Sequence, residues 1–313
     1  MPSSTHSKKS HIWWYIGLFG ALISAPNTTI IKYVTETLDP FVFIATRFAF
    51  LALIGVIYIW FVRRKFTRAG IKYSLISTGY MIVAVMTYVW AVNQSTASYL
   101  SILTLLNPII LVMMSRWLTG EKINSRVLSG VTLGLLGAFI IVAVPIALSQ
   151  QSDVHFYPFA TLLAAANVIS YPLAIIYAKK ATNTGVPVMG VLGISSTGVF
   201  IVAAVCSIGS LGVVSEVISE PSIWLSMLYS AIVVALVNRA ISIKCYDKLG
   251  AGPSASLTYI HTFIAILIPL IVLGEKLSIA TVLGGILILV GALIVERKAF
   301  GHTKYHHIFR HHQ

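Results

Sequence analysis

Carboxylates are scarce in this chain: nine Asp and Glu face 22 Lys and Arg in 313 residues, and charged residues of all kinds make up 10%. Soluble domains carry roughly a quarter of their residues as charges, so a soluble domain of this size is excluded. Cysteine is scarcer still. Cys206 and Cys245 fall near opposite ends of successive apolar runs, too far apart for a disulfide, which needs Cα atoms within about 7 Å. Both read as free, buried small hydrophobes. No Asp or Glu stands in the middle of an apolar run, which removes the carboxylate that would carry protons or hold a cationic drug. No glycine-rich phosphate loop is present, which excludes nucleotide-driven work by this chain. Neither a cofactor nor a resident metal ion is indicated.

What remains is apolar. Hydrophobic residues make up 57% of the chain and mean hydropathy is +0.88. A helix rises 1.5 Å per residue, so about 20 residues cross about 30 Å of hydrocarbon. Apolar runs bounded by charges or turn residues give ten spans, at 13–34, 41–62, 73–93, 97–118, 127–148, 158–178, 186–208, 223–245, 252–273 and 277–296. The fold class is an all-α integral membrane protein with the lipid bilayer as its first partner. The first span follows Lys8 and Lys9 as a signal peptide would, but its best cleavage point, after Ala25, has Ile23 where a small residue belongs and leaves Pro26 next. It is read as an uncleaved span.

Basic residues orient the spans. With the N-terminus inside, 18 of the 22 Lys and Arg fall in inner segments, and only Lys32 and Lys276 in outer ones. Both termini are expected in the cytoplasm and the chain in the cytoplasmic (inner) membrane. The net charge of +13 therefore serves topology and anionic lipid head groups, not nucleic acid.

Two stretches nearly repeat: "GEKINSRVLSGVTLGLLGAFIIV" from Gly120 and "GEKLSIATVLGGILILVGALIVE" from Gly274, with Glu121 and Glu275 separated by 154 residues. The same shift pairs Thr104 with Thr258, Gly130 with Gly284 and Gly137 with Gly291. Five spans per half is an odd number, so the second half enters the membrane from the opposite side. The architecture expected is ten transmembrane helices as two inverted five-helix repeats. Residues 1–148 form the first, 149–157 an external linker, 158–296 the second and 297–313 a basic His-rich cytoplasmic tail. Each Gly-Glu-Lys reads as a turn, with Gly ending one helix in a left-handed conformation and Glu favouring the dipole of the next. The glycines that follow make a face for close helix packing, within the chain or in a homodimer.

The ten spans in two halves, the "LDPFVFIATRFAFLALIG" opening of the second span and the "NPIILVMMSRWLTGEK" before a glycine-rich span resemble the EamA family of the drug/metabolite transporter superfamily. The resemblance implies alternating-access carriers of small metabolites, including exporters of amino acids and nucleosides. It also implies an arginine at position 47. Asn107-Pro108 follows the family pattern, whereas the second half has His261-Thr262 in its place.

Polar residues inside the spans are the candidate substrate contacts, because burying them unpaired in lipid is costly. Asn107 and His261 are repeat mates about ten residues into their spans, each with a threonine three residues earlier, Thr104 and Thr258, on the same helical face. They read as two walls of one central cavity. His261 is either a neutral histidine bonded to a neighbouring helix, a substrate contact, or the carrier of a coupling proton. Arg47 and Arg239 either snorkel to head groups or face the cavity, where they would favour a carboxylate or phosphate. Neighbouring Asn238 and Arg239 point about 100° apart, so they are not expected to line it equally. Asn27 sits beside Pro26, and Asn167 and Tyr171 precede Pro172, in two expected polar breaks. Trp90, near an outer span end, either stacks on a planar substrate, gates the mouth or packs in the core.

The reading is a secondary transporter of a small polar metabolite, most plausibly an exporter of an amino acid or derivative. Nucleosides or other planar metabolites are the alternative substrates, and an integral-membrane enzyme is the alternative class. The enzyme would need an acid or second histidine near His261, and none is close in sequence. A fluorescent reporter fused after Gln313 should mature and a phosphatase at the same point should stay inactive, with the pattern reversed in the 149–157 linker; any other pattern refutes the orientation.

Overall fold

The computed structural model describes residues 4–62, 66–119, 125–148, 157–213, 220–249 and 251–301. The first Gly-Glu-Lys turn, nearly all of the external linker and most of the His-rich tail lie outside these residues. The helices are α1 (Ser4–Ser24), α2 (Asn27–Thr35), α3 (Pro40–Val62), α4 (Arg68–Asn93), α5 (Ala97–Leu103), α6 (Leu106–Thr119), α7 (Ser125–Leu148), α8 (Pro158–Asn183) and α9 (Val188–Ser207). After them come α10 (Pro221–Tyr229), α11 (Arg239–Leu249), α12 (Ala251–Val272) and α13 (Ile279–Gly301). A π-helix, Ser230–Asn238, joins α10 to α11. Among the described residues there is no strand.

Among the described residues, six helical segments are long and apolar enough to cross a membrane, and three shorter apolar helices accompany them. Large apolar side chains face outward along them, among them Leu53, Phe61, Phe139, Leu162 and Ile271, each more than 60% exposed. A soluble monomer does not present so much apolar surface; a bilayer requires it.

Hydroxyl and carboxyl groups start the helices as their chemistry dictates. Asp39 accepts from the Phe41 and Val42 N–H groups ahead of α3, Thr67 from Gly70 N, Thr96 from Tyr99 N and Ser278 from Thr281 N. The expected first span is two helices, because Pro26 lacks an N–H and its ring crowds the carbonyl four residues back. The fourth span divides at Thr104-Leu105 for the same reason: Pro108 stands four residues after Thr104. Its mate is Thr262, and α12 runs unbroken through it. Pro172 departs from expectation, since α8 continues through it without a break.

The halves meet along α7 and α13. A Cβ on Gly137 would lie 2.5 Å from the Gly284 carbonyl, and one on Gly291 would collide with Gly130 O and lie 2.7 Å from Gly134 N. Replacing each glycine by its 154-residue mate turns the Gly137–Gly284 contact into Gly291–Gly130. That interchange is what a two-fold relation between the halves demands, and it uses the glycine face within one chain. A second glycine crossing, Gly55 against Gly193, draws α3 onto α9. Interhelical hydrogen bonds tie α4 to α8: Ser77 Oγ donates to Ala174 O at 2.7 Å and Asn167 Nδ2 to Ala84 O at 2.9 Å.

Gly274 has φ +64°, the left-handed turn expected of it. Glu275 is not spent on the helix that follows. Its carboxylate accepts from Ala97 N at 2.8 Å and Ser98 N at 2.9 Å, closing the N-terminus of α5 from across the bundle. The dipole argument holds, but tertiary packing supplies a different helix end. Cys206 is exposed rather than buried, and Cys245 is buried.

Gly137→Leu should lose about 3 kcal/mol of stability, because over-packing here meets backbone rather than a movable side chain. Gly79→Ala, where a Cβ meets nothing within 4 Å, should be neutral or gain up to about 1 kcal/mol. Thermal unfolding in detergent, followed by tryptophan fluorescence, checks the contrast; equal melting points would remove the seam from the stability argument.

Candidate functional site

A cavity of about 300 Å³ lies in the middle of the bundle. Its walls are drawn from both halves. Thr104 and Asn107 enter from the break between α5 and α6, and Thr258 and His261 from α12, so both pairs of repeat mates face the same space. Asn107 Oδ1 is buried with no hydrogen-bond donor. The His261 ring has the Ser24 backbone of α1 beside it, so it lines the cavity and also touches a neighbouring helix.

Asn27 begins α2 just after the Pro26 break, lines the cavity and accepts from Ser230 Oγ at 3.1 Å. Asn167 and Tyr171 line it from α8, with the Asn167 amide already committed to Ala84 O. Arg47, 8% exposed, reaches it from α3 between the Phe43 and Phe48 rings, whose centroids are 6.0 and 5.7 Å from its guanidinium carbon. Its Nε has no acceptor. Arg239 lines the cavity from the start of α11, and its Nη1 reaches Met81 Sδ at 2.8 Å. Both guanidinium groups face the same cavity.

Two expectations need correction. Asn238 and Arg239 both line the cavity. Asn238 ends a π-helix and Arg239 follows it; the i→i+5 bonding widens the turn and re-aims the side chains at its end. Trp90 is not part of the lining: it packs on Phe41, ring centroids 5.3 Å apart, with a buried, unbonded Nε1. Core packing is the one of its three readings that the geometry matches.

Sequence reasoning passed over Tyr88, which lines the cavity and shares a 2.6 Å hydrogen bond with Thr28. Its signal was a face: Met81, Ala84, Val85 and Tyr88 repeat at helical spacing and all line the cavity.

A profile of the EamA-like transporter family matches the chain twice, over residues 11–143 and 158–297. The chain belongs to the EamA-like transporter family. No curated protein matches it significantly. A solved structure, titled only as the crystal structure of a protein, aligns with a TM-score of 0.59 at 18% identity over 93% of this chain and 98% of the other. That likeness bears on the fold. Each family match covers one half, and the cavity of this EamA-like chain takes its walls from both.

The lining extends from Tyr88 and Val89 toward Gly17, Cys245 and Leu257, near the bundle end that holds the starts of α1 and α12 and the end of α11. Ser242 and Thr258 in that stretch are exposed. Hydrogen bonds join helices at the other end. Lys32 Nζ donates to Asn93 O, Asn93 Nδ2 to Thr35 O, and Glu275 holds α5. With the native cysteines replaced by serine, Thr258→Cys and Ser242→Cys should react with a water-soluble thiol reagent at least tenfold faster than Trp90→Cys; equal rates would mean the cavity is not wetted from that end.

Proposed function

We propose that this membrane transporter-like chain is a secondary transporter that moves a small polar organic metabolite, an amino acid or a derivative of one, out of the cell by alternating access. Its ten spans form two inverted repeats and both termini are cytoplasmic. The observation that carries the reading is the meeting of Thr104 and Asn107 with their repeat mates Thr258 and His261 in one central cavity. Inverted-repeat carriers place substrate there, because a site at the repeat interface is equidistant from both faces. The size supports it: about 300 Å³ is at the lower end of small-molecule pockets, enough for a metabolite.

The broken helices support it as well. Backbone irregularity inside a membrane survives where it lines a cavity or is buried in protein, and Asn27, Thr104 and Arg239 all stand at breaks and in the lining. By the basic-residue bias the exposed part of the lining lies on the cytoplasmic side, the side from which an exporter loads.

Counterflow in proteoliposomes tests the proposal. Vesicles loaded with one unlabelled metabolite should transiently accumulate the labelled tracer, saturably, and His261→Ala or Asn107→Ala should reduce this at least tenfold without loss of folded protein. Unchanged counterflow in both variants would move the site away from the repeat interface, and non-saturable tracer entry would indicate a channel.

A further inference from the structure

The cavity's charge is unbalanced. Among its described lining residues are two arginines and one histidine, but no aspartate or glutamate. Arginine does not deprotonate in proteins, so Arg47 and Arg239 cannot become neutral to escape burial. Their contacts among the described residues are neutral. Arg47 has phenylalanine rings and an Nε without an acceptor, and Arg239 has a thioether sulfur. Two like charges facing one cavity disfavour each other, and an anion bound between them would compensate both. Among the described lining residues no carboxylate supplies that partner, and an anionic ligand can.

Resting on the carrier reading above, we propose that the transported species carries net negative charge and leaves the cell electrogenically, driven by the membrane potential without a coupling ion. Its recognition element is an oxyanion, carboxylate or phosphate, which matches the planar forks of Arg47 and Arg239. Asn107 Oδ1 is buried and lacks a donor, so the far end of the ligand presents a hydroxyl or N–H. A zwitterion fits less well: its carboxylate would meet the arginines, but its ammonium would add a third cation to a cavity without a lining carboxylate.

The energetics follow from the charge. In an inside-negative cell, an outward-moving anion gains about 2.3 kcal/mol per charge per 100 mV, an outward concentration ratio of roughly fiftyfold. No co-transported cation is needed for that gradient, and among the described lining residues no carboxylate stands to hold one. The net charge moved per cycle is the ligand's own, since both arginines return with the empty carrier.

The test uses the full chain in proteoliposomes with potassium diffusion potentials set by valinomycin. The labelled probes are malate, glutamate and glycerol 3-phosphate as anions, with leucine and uridine as neutral comparators. At least one anion should enter at least fivefold faster when the interior is positive than at zero potential, while the neutral probes stay slow and voltage-insensitive. The malate and glycerol 3-phosphate arms distinguish a carboxylate from a phosphate ligand. Arg47→Gln and Arg239→Gln should each reduce anion entry at least tenfold. The corresponding Lys variants should retain part of it and its voltage response, which separates charge from packing. Saturable counterflow with leucine or uridine and none with the anions, or anion entry indifferent to potential, overturns this inference and leaves the carrier standing. No counterflow with any probe from protein that is folded by its melting curve overturns both.

Discussion

Hydrocarbon offers a backbone no water to bond, and this constraint decides where the bundle can be irregular. Helices break at Ala25-Pro26 and Thr104-Leu105 and loosen into a π-turn at Ser230–Asn238, and each of these places borders the central cavity. Groups released at the breaks find protein partners. The Ile23 carbonyl, just before the first break, accepts the Tyr229 hydroxyl, and the Thr104 hydroxyl turns back to Ser101 O at 2.8 Å. The cavity is thus a region in which departures from helix geometry are tolerated, and polar side chains collect there.

The glycine seam is the counterpart of that irregular centre. Lipid is as apolar as leucine, so helices in a membrane gain little from apolar burial against each other and depend on close van der Waals contact. Gly130, Gly134 and Gly137 bring α7 within backbone distance of α13 through Gly284 and Gly291. Side chains of any size there would separate the repeats and with them Asn107 from His261. The seam fixes the frame, and the proline breaks supply the opening.

Much of this was legible in the sequence. Apolar runs located the helices, the 154-residue shift paired Thr104 with Thr258 and Asn107 with His261, and Pro26 marked a real break. What escaped depended on contacts that spacing does not encode. The π-turn ahead of Arg239 comes from no proline or glycine signal, and its wider turn lets Asn238 and Arg239 share the cavity. Pro172 carries the same local signal as Pro26, yet packing of α8 along α4 keeps that helix continuous. Trp90 was ambiguous because a ring near a span end can face lipid, cavity or core, and only Phe41 across the bundle decides among them.

Glu275 shows how the repeated turn enters the proposed cycle. Its carboxylate takes two N–H groups at the start of α5, the helix that leads directly to Thr104 and Asn107. Charge-assisted bonds of this kind are stronger than neutral ones, and these two join the α12–α13 turn of one half to the fourth span of the other. At this end of the bundle the halves are therefore held together, while the exposed part of the cavity lining lies toward the opposite end. Alternating access requires contacts of this type to be made at one face while they are released at the other. The 154-residue shift assigns the mates: Glu121 corresponds to Glu275, and Ala251 and Gly252 at the start of α12 correspond to Ala97 and Ser98.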